Sequence, residues 1–300
     1  MKSDIFFIIP SYFDGKATSE LIKELQTLMK SKLPRVSCYF IIVDDSAGLD
    51  KSLGTYSSKS KIRRIKTRGQ IGNQRAIITG LKTVLGKVAE DSLIVVMDGD
   101  GEDSPPDAIK MISYMFENSN FELVHAERGR RKAGLYFGTL LLIYRIIFRI
   151  LTGSQWRAGN FSAFRASWLK KNFNNFESSK NFAGSIQAIK ANREFIKFDR
   201  GPRRYGGSKT PSYEKILHAL SSIGPWTDKI QVRSLIFLGF SLLNLISSVS
   251  LALYLKFTSN GITPNWFTIV FFSTFSLSML ALNVFLTTYI LKVLYTYTSK

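Results

Sequence analysis

The pattern of apolar and polar positions divides this chain of 300 residues into three regimes. In the first, short β-prone apolar runs alternate with segments whose apolar residues recur at helical spacing. IFFII (5–9), CYFIIV (38–43), KIRRIK (61–66), SLIVVM (92–97) and FELVHAE (121–127) predict strands, and Pro10 is expected to end the first of them. TSELIKELQTLMKSK (18–32) sets Leu21, Ile22, Leu25, Leu28 and Met29 on one helical face. GNQRAIITGLKTVLG (72–86) and PPDAIKMISYMFE (105–117) also predict helices, the latter with Pro105 and Pro106 in its first turn. Such alternation predicts βαβ units around a largely parallel sheet. The near-continuous apolar strands suit a sheet covered on both faces.

The second regime is AGLYFGTLLLIYRIIFRILTG (133–153), apolar but short for a span, with Arg145 and Arg149 one turn apart on one face. This pattern predicts an amphipathic helix lying in a membrane interface; a buried core helix is the competing reading. The third regime follows Arg233, where residues 234–255 and 257–291 carry no charge. Roughly 20 apolar residues cross a bilayer core as a helix. Two transmembrane helices are therefore expected near 234–255 and 266–290, joined by KFTSNGITPN. The domains predicted are 1–232, cytoplasmic, and 233–300, transmembrane.

Charge changes the picture next. The formal net charge is +19, and of the 41 Lys and Arg only Lys256, Lys292 and Lys300 lie beyond Arg233. The bias of positive segments toward the cytoplasm places residues 1–233 on that face, and two spans return Lys300 to it. Anionic headgroups account for the excess charge better than nucleic acid does, so no nucleic-acid partner is expected. MKSDIFFIIPSY is too short an apolar start for a signal peptide. The single cysteine, Cys38, excludes an internal disulfide. His125 and His218 have no second ligand at metal spacing and read as structural. GNQRA lacks the Gly-Lys-Ser/Thr ending of a phosphate-binding P-loop.

Against this basic background, VVMDGDGEDSPPD (95–107) gathers Asp98, Asp100, Glu102, Asp103 and Asp107. Acids this close repel one another unless a cation holds them. Asp98-Gly99-Asp100 at a strand end suits Mg²⁺ or Mn²⁺, which take one or two carboxylates from a protein and the rest from substrate phosphates. Ligands of open α/β sheets bind beyond the carboxyl ends of strands. That rule lines up Pro10 to Asp14, Asp44–Asp45 and Asp98–Asp103 along one edge.

At this point the sequence resembles glycosyltransferase family 2, and within it the membrane-anchored, dolichol-phosphate-mannose-synthase-like polyprenyl-phosphate glycosyltransferases. IIPSYFD (8–14) stands where that family has Pro-x-Tyr-Asn-Glu, and IIVDDSAG (41–48) where it has Val-Asp-Asp-x-Ser. GNQRAIITGL (72–81) keeps the family's Gly-to-Gly-Leu spacing. VVMDGDGEDSPPD matches Met-Asp-Ala-Asp-Leu-Gln-Asp-Pro-Pro, RAGNFSAFR (157–165) matches Ala-Gly-Asp-Phe-Arg, and RRYGGSKTPSYEKIL (203–217) matches Arg-x-x-Gly-x-Ser-Lys-Tyr. The resemblance implies an α/β, GT-A-like, Rossmann-type nucleotide-sugar-binding domain carrying the interfacial helix and the two spans. It implies a UDP- or GDP-sugar donor and a polyprenyl phosphate acceptor. Pro10, Tyr12, Asp14, Asp44, Asp45, Arg75 and Asp98 would bind the donor, with Asp98 near the ribose. Asp100, with Asp98, would hold the metal on the diphosphate. Arg128, Arg203, Ser208 and Lys209 would meet donor or acceptor phosphate.

Two departures stand out. Gly101-Glu102 replaces Leu-Gln, and Asn160 stands where relatives have an acid that serves as base or metal ligand. A hydroxyl acceptor must lose a proton and needs a base. A phosphate monoester is mostly dianionic at pH 7 and needs cations instead. Asn160 is therefore compatible with a lipid phosphate, and Asp103 is the candidate if a base is needed. The reaction expected is in-line sugar transfer with inversion. A transferase acting on a lipid or glycan hydroxyl, and a scaffold that kept the fold without the activity, are the alternatives. The sugar, the acceptor lipid and the oligomeric state, a homo-oligomer included, are left open.

Overall fold

The computed structural model describes residues 4–54, 61–128, 135–157, 159–199, 201–207, 220–258 and 266–298. Two compact units arise: Met1–Arg145 with Gln155–Pro225, and Ile146–Ser154 with Trp226–Lys300. The last turns of the amphipathic helix go with the C-terminal helices in the second unit.

The first unit is a sheet of seven strands between helices. In chain order its elements are β1 (Ile5–Ser11), α1 (Gly15–Lys32), β2 (Cys38–Asp44), β3 (Ile62–Lys66), α2 (Asn73–Leu85), β4 (Leu93–Val96), α3 (Pro105–Glu117) and β5 (Leu123–Arg128). There follow α4 (Leu135–Thr152), β6 (Ser162–Arg165), α5 (Ala166–Ser179), α6 (Phe182–Ala188) and β7 (Arg193–Phe198). The strand order is β3-β2-β1-β4-β6-β5-β7. β1, β2, β3 and β4 run parallel, as do β5 and β7, whereas β6 runs antiparallel to both its neighbours.

Strand alternation separates two cores. Ile5, Phe7 and Ile9 face Leu21, Ile22, Leu25 and Met29 of α1 and Met111, Ile112 and Met115 of α3. Ile8, Ile41, Ile94 and Val96 face Ile77, Leu81 and Val84 of α2, with Trp168, Leu169 and Phe173 of α5. Each fully buried side chain of this size contributes roughly 1.5–3 kcal/mol. The Gly80 of the recurring Gly-Leu pair has a packing reason. A Cβ there would lie 2.6 Å from Ile8 Cγ2, so only glycine lets α2 lie this close to β1.

Pro10 does not end β1, as the sequence predicts; it pairs with Val43, and the strand runs on to Ser11. The reason is which side of the strand it leaves without a donor. The Ile8 carbonyl accepts from the Met97 amide at 3.2 Å, on the β4 side. Two residues on, Pro10 turns the same side toward β4 and has no N–H to give. The β1–β4 ladder stops, while the β1–β2 ladder continues.

The second unit holds the last turns of α4 with α7 (Thr227–Thr258) and α8 (Trp266–Thr298). The segments Gly224–Thr258 and Thr268–Thr287 are long and apolar enough to cross a membrane. Leu235, Phe240, Leu243, Ile246, Phe271 and Phe285 are exposed, the reverse of a soluble core helix. Ser276 donates to Asn244 Oδ1 at 2.7 Å and ties the two helices together. Arg233 donates to the carbonyls of Arg149 and Ile150 and so caps the end of α4, while Phe148 packs edge-on against Trp226 at 5.0 Å. Along α4, Leu142, Ile143, Ile146, Ile147 and Ile150 are exposed and Phe148 is buried.

His125 on β5 is fully buried, stacked on Phe195 at 5.4 Å, with neither ring nitrogen hydrogen-bonded. Burial, reinforced by the charge of Arg193, pushes its pKa down from 6.5 to about 3. The folded protein holds it neutral, and between those values unfolding takes up a proton. Each pH unit below 6.5 therefore removes up to about 1.4 kcal/mol of stability. His125→Phe, which keeps the stack, is expected to flatten the fall of melting temperature between pH 7 and pH 4. Equal slopes for the two proteins would show that His125 does not set acid sensitivity.

Candidate functional site

The strand order reverses at β1, with β2 on one side and β4 on the other, and this is where a parallel sheet opens a crevice. The ladder stopped by Pro10 widens it. Asp14 follows β1, Asp44 and Asp45 end β2, and Asp98 to Asp103 leave β4, so the three acidic strand ends do converge.

The acidic loop is held tightly. The Asp98 amide donates to Asp103 Oδ2 at 2.9 Å and the Glu102 amide to Asp100 Oδ1 at 3.0 Å. Thr18 of α1 donates to the Gly99 carbonyl at 3.1 Å and lies 3.0 Å from Ser11 Oγ. A Cβ on Gly99 would meet Thr18 Oγ1 at 2.5 Å and the Pro10 carbonyl at 2.9 Å. The residue between the two aspartates must be glycine for the loop to lie against β1 and α1.

A second segment lies across this loop. The Gly201 amide donates to the Glu102 carbonyl and the Arg204 amide to the Asp100 carbonyl, both at 3.1 Å. Between them Arg203 pairs with Asp14 at 2.5 Å and reaches Asp100 at 3.7 Å. Arg204 is clasped by Glu24 and Glu20 of α1, and Tyr205 donates to Glu20 at 2.6 Å under Lys16. A guanidinium thus offsets two of the carboxylates that the sequence gathers here.

Asp98 sits at the end of a chain of amides. Asn73 and Asn160 each donate from Nδ2 to Asp98 Oδ1 at 3.1 Å. Asn160 Oδ1 in turn accepts from Gln74 Nε2 at 2.8 Å, and Gln74 Oε1 accepts from the Ala183 amide at 2.6 Å. Asn73 and Gln74 escape the sequence reading. A signal was available for Gln74: it is a polar residue on the face of α2 that buries Ile77, Ile78 and Leu81.

The other predicted residues divide. Asp45 is buried and takes the amides of Ile71 at 2.7 Å and Gly72 at 2.8 Å, fixing the turn into α2. Burial raises its pKa, and those hydrogen bonds offset this only in part. Tyr12 donates to Gln70 at 3.3 Å beside that turn and packs edge-on against Phe13, an exposed ring on a left-handed backbone (φ 52°). Pro10 is buried in β1, and Arg75 is exposed on the first turn of α2.

Asp44 has no exposed surface and is bound by Arg64 at 2.6 Å and by Ser46. Burial alone would raise its pKa, but bonds from Ser46 and Arg64 hold it below the usual carboxylate range. Asp103 is buried and accepts from the Asp98 amide, which holds the acidic loop. Ser208, Lys209 and the side chain of Arg128 lie outside the described residues.

For a divalent cation, Asp98 and Asp100 offer hard carboxylate oxygens on one loop. Among the described residues no group of three or more His, Cys, Asp or Glu is arranged around a metal position. Two carboxylates on one loop suit Mg²⁺ or Mn²⁺ when a ligand's own oxygens supply the remaining positions.

Comparison with known proteins agrees with this arrangement. Residues 6–195 match the sequence profile of a family described as Glycosyl transferase family 2. No curated protein matches the chain in sequence. Among solved structures, glucosyl-3-phosphoglycerate synthase from Mycobacterium tuberculosis, crystallised with Mn²⁺, uridine diphosphate and phosphoglyceric acid, superposes with a TM-score of 0.50. It is 11% identical, over 76% of this chain and 78% of that one. A 4-diphosphocytidyl-2C-methyl-D-erythritol synthase gives a TM-score of 0.42 at 12% identity, over 74% of this chain and 98% of that one. The likeness to the mycobacterial synthase is one of fold: the mixed sheet and its flanking helices have the GT-A arrangement.

Gly99→Ala forces backbone movement in the acidic loop and is expected to cost about 1–3 kcal/mol, read as a lower melting temperature. Gly86→Ala, whose Cβ would meet nothing within 4 Å, is the control and is expected to melt with the wild type or above it. A Gly99→Ala protein as stable as the control would show that the loop is not tightly seated.

Proposed function

We propose that this protein, which belongs to glycosyl transferase family 2, moves a sugar from a nucleoside diphosphate donor to a polyprenyl phosphate at a membrane surface. The observation that carries the acceptor class is the setting of Asn160. Its amide is bonded to Asp98 on one side and to Gln74 on the other. A neutral group with both ends engaged does not take a proton from an attacking hydroxyl. An acceptor that arrives ionised needs no such group.

The chain's own residues then have distinct tasks. Tyr12, with the turn that Asp45 anchors, forms the nucleoside end of the crevice. Asp98 and Asp100 would hold Mg²⁺ or Mn²⁺, which would offset charge on the leaving diphosphate. Arg203, shared between Asp14 and Asp100, places a guanidinium beside that position among the described residues and suits a phosphate, which accepts bidentate donors. Asp103 keeps the loop in shape. The Mn²⁺ and uridine diphosphate held by the mycobacterial synthase support UDP-sugars with Mn²⁺ as the first combination to test.

Membrane attachment rests on the exposed apolar surfaces of α7 and α8 and on α4, whose apolar side chains are exposed beside Arg145 and Arg149. This is the composition of a helix seated among headgroups. The catalytic unit is assigned to the cytoplasmic face by its excess of Lys and Arg over the tail.

The test is nucleotide release in detergent from UDP-glucose, UDP-galactose, UDP-N-acetylglucosamine and GDP-mannose, with and without metal and undecaprenyl phosphate. Release that requires both metal and lipid phosphate is expected for one donor. Release indifferent to the lipid phosphate would move the acceptor to a hydroxyl. In the same assay Asp100→Asn is expected to lower turnover by roughly a hundredfold or more, with its melting temperature within a few degrees of wild type. A variant that turns over normally would remove Asp100 from the metal.

A further inference from the structure

We propose that Gln74 is a positioning residue of the metal–nucleotide site, acting through Asn160 to keep an amide NH₂ facing Asp98. The inference rests on the reading that Asp98 serves that site. Its basis is a chain of hydrogen bonds whose direction is set at both ends. At one end the Ala183 N–H can only donate, so the Gln74 oxygen faces it, at 2.6 Å. This turns the Gln74 NH₂ to Asn160, which must answer with its oxygen, at 2.8 Å. The Asn160 NH₂ is thereby left for Asp98, a carboxylate that can only accept when ionised, at 3.1 Å. No member can be reversed without setting two oxygens or two donors against each other.

The relay fixes more than one rotamer. Asn73 donates to the same Asp98 oxygen, Oδ1, also at 3.1 Å, so two amides orient that carboxylate, one from α2 and one from the segment before β6. Gln74 is buried among the apolar residues of α2, so its amide has little room to turn. The relay also accounts for the amide at position 160. An acid there would accept from Gln74 as Asn160 does, but would set a carboxylate against Asp98. Gln74 and Asn160 are in this sense one choice.

Outer partners of metal-holding carboxylates typically change affinity or activity 10–100-fold when removed. The experiment is a double-mutant cycle read on two quantities: the dissociation constant of Mn²⁺·UDP by calorimetry, and kcat and KM separately. Gln74→Met and Asn160→Ala are each expected to weaken Mn²⁺·UDP about tenfold. The double variant is expected to be no weaker than Asn160→Ala, because Gln74 acts only through Asn160. Gln74→Glu keeps the size and the bond to Ala183 but offers an oxygen to Asn160; it is expected to lose binding at least as severely as Gln74→Met. Binding or turnover of Gln74→Glu at the wild-type level overturns the relay, as do losses that multiply in the double variant. A packing role would lower the melting temperature without a change in Mn²⁺·UDP affinity, and that result also overturns it. Wild-type protein that binds neither Mn²⁺·UDP nor Mn²⁺·GDP overturns the metal–nucleotide reading itself.

Discussion

The hydrogen bond that Pro10 cannot make governs the geometry of the site. β1 is the interior strand where the sheet order reverses, so it should be paired on both sides throughout. It is paired with β2 to its end, but with β4 only until the Ile8–Met97 rung. Beyond that rung the two strands part, and the acidic loop occupies the gap. The close approach of Gly99 to Pro10 and Thr18 then fixes how far the loop departs. Asp98 and Asp100 are consequently held on a backbone that has little freedom left.

Charge is managed by pairing at different depths. Asp44 is neutralised inside the protein by Arg64 and serves the scaffold. Asp45 spends both oxygens on backbone amides and shapes the turn into α2. Asp14, Asp98 and Asp100 meet side chains of the crevice itself, and one guanidinium, Arg203, spans two of them. Asp44 has no exposed side-chain surface, whereas Asp14 and Asp100 keep some.

The amphipathic helix α4 shows a similar division. Its last turns are capped by Arg233, at the foot of the first apolar helix, and Phe148 packs on Trp226. The helix contributes its last turns to the second unit, and leucine and isoleucine side chains along it are exposed.

How much of this was legible beforehand follows from which signals are local. The five strands and three helices up to residue 128 were readable, because alternation and helical spacing are properties of neighbouring residues. So were the two apolar helices, whose length and lack of charge need no partner to be recognised, and the acids at three strand ends. After α4 the reading thinned. β6 inserts antiparallel between β4 and β5, a pairing between residues far apart that no local period encodes. Adjacent aspartates could not be sorted either: Asp44 and Asp45 look alike until Arg64 and the amides of Ile71 and Gly72 are placed around them. The sequence by itself determined the α/β class, the apolar tail and the gathering of acids. Only the tertiary structure decided that Pro10 opens one ladder and not the other, and that Ala183, Gln74 and Asn160 converge on Asp98, because the direction of a hydrogen bond depends on which group folding brings to face it.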